Sequence, residues 1–249
     1  MNLPPVGVQL IVFGGKYDIN TDAAVILDSL VRAGYAGVEG GAKDAEMYRR
    51  MLDERGLKYC GSHGGLAALD DVKSLAAYVK TLGGADVCNS AMRTWDARSL
   101  EDYRDGISVL NKAGHQLRDE GIHLHYHNHA FEFDKVDGEK TGMDLLLDGL
   151  DFSVVDLCVD VAWVMRGGAN PAEFLRKYNA QIGYLHFKDF DGEDWIELGQ
   201  GQNDFPSIMQ VLPELTGVRW VVTEQDSSKL DPRESIAISR RYLKDAFGY

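Results

Sequence analysis

The chain is short of several things. It has three cysteines, Cys60, Cys88 and Cys158, in 249 residues, an odd and sparse set that excludes a disulfide framework. Each lies in a short apolar run, as a free thiol buried in a strand would. Basic residues are outnumbered, 26 Lys and Arg against 39 Asp and Glu, which gives a formal net charge of −13. That balance lacks the electropositive footprint on which DNA or RNA binding rests. No apolar run is long enough to cross a membrane. The opening "MNLPPVGVQLIVFGG" has neither a basic first segment nor a long apolar one and does not read as a secretion signal. The expectation is a cytoplasmic protein, or a periplasmic one if a signal segment has been removed. Linkers and low-complexity segments are also missing.

What is present is regular. Apolar strand-like runs alternate with helical patterns from end to end: "VGVQLIVF", "AGVEGG", "LKYCGSH", "ADVCNS", "IHLHYHNH", "FSVVDLCVD", "IGYLHFKD" and "RWVVTEQD". The helical patterns between them often close on glycine. In the fourth, "DARSLEDYRDGISVLNKAGHQLRDEG", Leu100, Tyr103, Ile107, Leu110 and Leu117 mark one apolar face. Eight such units at this length predict a single (β/α)8 barrel spanning residues 1–249. A doubly wound open sheet is the alternative, but "FGGKYD" after the first strand does not match its Gly-rich phosphate turn.

Ionisable residues gather at the predicted C-terminal strand ends, where barrels place their chemistry. These are Glu39, His63, His127, Asn128, His129, Glu132, Asp160, His186, Lys188, Asp189, Glu224 and Asp226. Four of the seven histidines fall in "GIHLHYHNHAFEF". Alternation turns Ile122, Leu124 and Tyr126 toward the helices and His123, His125 and His127 toward the interior, His123 deepest. Glu132, Asp160, His186 and Glu224 come from four successive strands. Carboxylates converging there repel one another unless protons or a cation neutralise them, and such a set suits Mn²⁺, Mg²⁺, Co²⁺ or Zn²⁺.

The motifs "YHNHAFEF", "CVDVAW", "YLHFKDFD", "LGQGQNDFPSIM" and "WVVTEQD" resemble the sugar isomerase/epimerase superfamily with the xylose isomerase-like TIM barrel. The nearest branch is the one whose fifth strand reads YHNH-x-x-EF. The resemblance covers nearly the whole chain. It implies one divalent ion, Mn²⁺ first, held by Glu132, Asp160, His186 and Glu224, with His127 as the rival strand-five ligand. It implies proton abstraction next to the carbonyl of a sugar or keto-sugar, through a metal-stabilised enediolate. His127 and His129, beside Glu224 and Lys188, are then the proton-handling groups. Glu39, His63, Trp163 and Lys188 are the substrate-binding candidates.

Trp163 and Lys188 stand where the ketose 3-epimerase motifs carry His and Arg. That moves weight toward relatives acting on larger, cyclic or oxidised sugars, including inosose dehydratases and enzymes that process keto-glycosides, so a lyase is the second reading. A non-catalytic sugar-binding subunit is the alternative outside enzymes. An apurinic-site endonuclease on the same barrel would need more histidines and a basic face. The expected partner is a small sugar, with no nucleic acid and no membrane; a homo-oligomer is compatible with the sequence. Blander roles stand beside these: Lys188 in a salt bridge to Asp189 or Glu224, His63 bonded to backbone, Trp163 in the core, Asn128 tying down the strand-five loop.

Overall fold

The computed structural model describes residues 3–95 and 98–249. Eight parallel strands close a barrel: β1 (Val6–Gln9), β2 (Gly37–Glu39), β3 (Lys58–Gly65), β4 (Asp86–Ser90), β5 (His123–His127), β6 (Val155–Asp160), β7 (Ile182–Phe187) and β8 (Val221–Thr223). Each strand pairs with its sequence neighbour, and β8 closes on β1 through Val6–Val221, Gly7–Val222 and Val8–Thr223. The open sheet is thereby excluded.

Nine helices are found among the described residues: α1 (Ile19–Ala33), α2 (Ala45–Arg55), α3 (Val72–Thr81), α4 (Leu100–Asp119), α5 (Gly142–Gly149), α6 (Val161–Arg166), α7 (Pro171–Lys177), α8 (Phe205–Val211) and α9 (Pro232–Phe247). Their ends follow local chemistry. A capping box between Ser99 and Asp102 starts α4, and Gly34, with φ of 87°, closes α1 in the left-handed region open to glycine. The expected start of α4 at Asp96 and Ala97 lies outside the described residues.

Two boundaries differ from expectation. The first strand stops at Gln9, and Leu10–Phe13 form a 3-10 turn whose Ile11 N–H donates to the Gln9 side chain. The one-turn helix α6 is missing from the sequence reading. Its cap is Asp160, whose Oδ1 accepts from the backbone N–H of Ala162 at 2.9 Å and Trp163 at 3.0 Å.

Apolar side chains fill the shell between strands and helices, with Leu124 and Tyr126 of β5 among them. The barrel interior is built in layers. Toward the N-terminal end, Asp86 Oδ1 accepts from His125 Nε2 at 2.9 Å and from Arg219 Nε at 2.6 Å. The middle layer groups Cys60, Cys88, Cys158, Tyr184, Trp220 and Val222, and all three cysteines are buried free thiols. Space there is tight: a Cβ on Gly37 would stand 2.7 Å from Cys60 Sγ, so only glycine fits. The upper layer carries the ionisable groups. His123 is exposed at the N-terminal rim, so the deepest histidine of β5 is His125. The strand enters the barrel from that rim, and its first inward residue is consequently still wet.

Candidate metal and active site

Strand alternation brings His127, Asp160 and His186 inward at the ends of β5, β6 and β7, and Glu224 follows β8 directly. All four are buried. One ligand-type atom from each lies within 4.8 Å of the other three. His127 Nε2 is 3.7 Å from Asp160 Oδ2 and 3.5 Å from Glu224 Oε2, and His186 Nδ1 contacts Glu224 Oε2 directly.

Two of these atoms, Asp160 Oδ2 and His127 Nε2, are buried without a hydrogen-bond partner. Orphaned buried polar atoms are costly unless something else engages them. Ligands about 2.1 Å from a common centre stand at most about 4.2 Å apart. The separations are of the order one ion would bridge once the direct His186–Glu224 contact opens. Two imidazole nitrogens and two carboxylates form a donor set that first-row divalent ions accept. The residues fit a divalent cation.

Around this group runs a second ring. Glu39, at the end of β2, accepts from His186 Nε2 at 3.0 Å and from His63 Nδ1 at 2.8 Å. His63 Nε2 meets the Ser90 hydroxyl, which lies 3.2 Å from His127 Nδ1. Lys188, fully buried, donates to Glu224 at 3.0 Å and to Asp226 at 2.7 Å. Its ammonium also lies 4.1 Å from the centre of the Trp195 ring and 5.0 Å from that of Trp163.

The electrostatics of this layer favour positive charge. Burial alone would lower the pKa of His127, but contacts with Asp160 and Glu224 overcome it and raise it to about 10. His186 is likewise held well above the ordinary imidazole value, burial being outweighed by Cys158, Glu39 and Glu224. Glu224 and Glu39 go the other way. Burial opposes their charge, yet Lys188 and His186 hold Glu224 well below the usual carboxylate range, and His186 with His63 does the same for Glu39. The field that favours imidazolium favours any cation.

His129 differs. Burial first, then the neighbouring His127 charge, lower its pKa to about 2, so it is neutral. It lines a cavity of about 460 Å³ together with His63, Ser90, Trp95, His127, Trp163 and Glu224. Its ring packs edge-on to Trp163 and Trp95 and stacks on Phe131.

Glu132 is not brought into the four-residue group. It accepts from the Tyr126 hydroxyl at 2.7 Å and from the His129 backbone N–H at 2.7 Å. Tyr126 lies on the helix-facing side of β5, so the turn after the strand folds Glu132 back behind His129 instead of over the barrel mouth. His127 takes the strand-five place. Burial raises the pKa of Glu132 to about 7, against the pull of those two hydrogen bonds.

The other candidates divide. Asn128 Oδ1 accepts from the backbone N–H of Asp160 at 3.0 Å and ties the β5 end to the β6 end. Asp189 makes no ion pair with Lys188; its carboxylate accepts instead from the N–H groups of Phe190, Gly199, Gly201 and Asn203. It thereby anchors a loop containing a two-stranded ribbon, Asp189–Phe190 against Trp195–Ile196. Glu39 and His63 contact ligand-type groups, and His63 also faces the cavity. Ser90 and Trp195 were missed. A serine closing "DVCNS" and a tryptophan within a loop carry no spacing signal; only the strand-end position of Ser90 points to the mouth.

Comparison with known proteins agrees with this fold. Curated relatives include the inosose dehydratase of Clostridium beijerinckii, 27% identical over 170 residues, 60% of this chain and 56% of that protein. The chain thus spans little more than half the length of that relative. The inosose dehydratase of Geobacillus kaustophilus is 24% identical over 88% of this chain and 85% of its own length. Among solved structures, a sugar phosphate isomerase/epimerase from Parabacteroides distasonis superposes with a TM-score of 0.83 at 23% identity, covering 99% of this chain and 96% of that one. The IOLI protein, crystallised with a bound zinc atom, superposes with a TM-score of 0.76 at 16% identity over 97% of each chain. A family model described as xylose isomerase-like TIM barrel matches residues 27–246, and the chain belongs to that family.

Proposed function

We propose that the protein is a divalent-metal-dependent enzyme that isomerises or epimerises a sugar or keto-sugar by moving a proton on carbon next to a carbonyl. One observation carries this reading: four ligand-type side chains from four consecutive strand ends converge beside a cavity that His127 and Glu224 line, two of them with otherwise unpartnered atoms. His127, Asp160, His186 and Glu224 would hold the ion. When bound, a divalent cation supplies Lewis acidity to a carbonyl or adjacent hydroxyl oxygen. This set has one more imidazole than the set read from the sequence, which keeps Mn²⁺ in place and moves weight from Mg²⁺ toward Co²⁺ or Zn²⁺. The zinc in the IOLI structure supports that range.

The chain's own groups then divide the work. His127 serves as ligand. His129 is the neutral imidazole of the cavity wall, placed to hydrogen-bond a substrate hydroxyl, while Glu224 in the same wall is the carboxylate placed to accept the carbon-bound proton. Lys188 places a positive charge beside Glu224 and toward substrate oxygens. Trp163 and Trp95 offer apolar faces to a sugar ring. Return of the proton to the opposite face gives the epimer, and return at the adjacent carbon gives the isomer.

A second reading is elimination. Once the α-proton has been removed, the electron pair of its bond forms the carbon–carbon double bond as the β-hydroxyl leaves with its own electron pair, takes a proton from Lys188 and departs as water, giving an unsaturated ketone. The buried Lys188 ammonium, bonded to the cavity-lining Glu224 and Asp226, and the inosose dehydratases among the relatives favour it. The test is deuterium uptake from D2O at the carbon next to the carbonyl, followed by NMR across keto-sugars and inososes. Uptake with added Mn²⁺ or Zn²⁺, falling about 100-fold or more in Glu224→Gln, is expected. No uptake with any ketone, metal-loaded, contradicts both readings.

A further inference from the structure

We propose that Ser90, His63 and Glu39 are positioning residues, forming one hydrogen-bonded arc that fixes both imidazole ligands from behind. The inference rests on the metal reading above and assigns residues that lie outside the ligand set. The arc is continuous: His127 Nδ1 to Ser90 Oγ, Ser90 Oγ to His63 Nε2, His63 Nδ1 to Glu39 Oε1, and Glu39 Oε2 to His186 Nε2. It joins four strand ends, β5, β4, β3 and β2, to β7 across the barrel.

Donor and acceptor accounting runs one way through it. A Glu39 carboxylate only accepts, so His63 Nδ1 and His186 Nε2 both donate to it. With its proton on Nδ1, a neutral His63 accepts at Nε2. The Ser90 hydroxyl therefore donates to His63 and keeps its lone pairs for His127 Nδ1–H. Both ends of the arc then carry the same consequence. When an ion displaces the protons facing Glu224 and Asp160, His186 keeps its proton at Nε2 and would ligate through Nδ1, and His127 keeps its proton at Nδ1 and would ligate through Nε2. The two nitrogens so freed are the ones that face Asp160 and Glu224. A single carboxylate, 0% exposed and acting at two rings, selects the ligating tautomer of each histidine.

The test is Zn²⁺ and Mn²⁺ affinity of the full chain, by competition with a chromophoric chelator, for wild type, Ser90→Ala, Ser90→Thr, Glu39→Gln and the Ser90→Ala/Glu39→Gln double variant. Melting temperature without metal checks folding of each. Ser90→Ala and Glu39→Gln are each expected to weaken binding about 10- to 100-fold. Ser90→Thr, which keeps the hydroxyl, restores affinity, and the double variant loses less than the two single losses combined, because both cut one arc. If wild type binds the ion and both single variants bind it equally well, the arc is overturned while the metal site stands. If folded wild type binds neither ion, the metal reading fails and takes the arc with it.

Discussion

His127 Nε2 and Asp160 Oδ2 stand 3.7 Å apart, both buried, and neither has a hydrogen-bond partner. They come from adjacent strands, at β5 and β6 ends tied together by Asn128. The other Asp160 oxygen is already committed to capping α6. One carboxylate thus shapes the fold with Oδ1 and offers Oδ2 to the centre of the barrel mouth.

Asp160→Asn separates those two tasks. Asparagine still presents an oxygen to the α6 N–H groups but removes the charge from the ligand position. Zn²⁺ affinity should fall by more than about 100-fold, beyond the usual effect of an outer partner. The melting temperature without metal should move by less than about 4 °C, the size of a 1 kcal/mol change. Chelator competition and thermal melts check both; a large thermal loss with unchanged affinity would assign Asp160 to the fold alone.

Glu132→Gln should act in the opposite way, with metal affinity retained. Losing the carboxylate contacts to Tyr126 and His129 should cost about 1–3 kcal/mol. The pH dependence has a definite sign. Glu132 has its folded pKa raised to about 7 from 4.5, so the folded chain binds more protons between those values. Its contribution is complete below pH 4.5 and is lost as pH rises to 7, on the order of 3 kcal/mol. Urea denaturation of wild type and Glu132→Gln from pH 4.5 to 7.5 reads this directly. Equal pH slopes in the two proteins would count against a buried carboxyl of raised pKa.

Asp86→Asn tests the far end of the barrel. Asp86 is paired with His125 and Arg219, and these partners outweigh burial to hold its pKa below the ordinary value. A lowered folded pKa gives stability that is present above pH 4 and lost as pH falls. Removing the charge should cost roughly 3–5 kcal/mol while leaving metal content unchanged. Denaturation midpoints and elemental analysis together check the separation of the stabilising and chemical ends.

Asp189→Asn should loosen the loop between β7 and α8. The carboxylate accepts four backbone N–H groups at 2.9 to 3.1 Å. An asparagine amide can accept at only one of its two ends. About 1–3 kcal/mol of local stability should go, and limited proteolysis should then cut within residues 190–203 before any other segment. Uniform digestion of both proteins would show that the loop is held by other contacts.

The barrel was legible because its signals are periodic. Alternation in β5 separates Leu124 and Tyr126 from His125 and His127, and the eight apolar runs recur with helices between them. The burial of the cysteines was legible for the same reason. Glu132 was not placed by alternation, because it lies five residues past His127, beyond the strand, where a 3-10 turn decides its direction. Strand periodicity says nothing about such a turn. Ser90 was invisible for a different reason. Its role depends on His63 and His127 from neighbouring strands, and a serine at a strand end has no chemistry until those rings stand beside it.

The most direct measurement is the metal content of the purified chain by elemental analysis, wild type beside Glu224→Gln, after loading with Mn²⁺ or Zn²⁺ and removal of free ion. A divalent ion bound one to one in the wild type and largely absent from a folded Glu224→Gln variant is the predicted result. A wild type that retains no ion, or a Glu224→Gln variant that retains as much as the wild type, would contradict the proposed site.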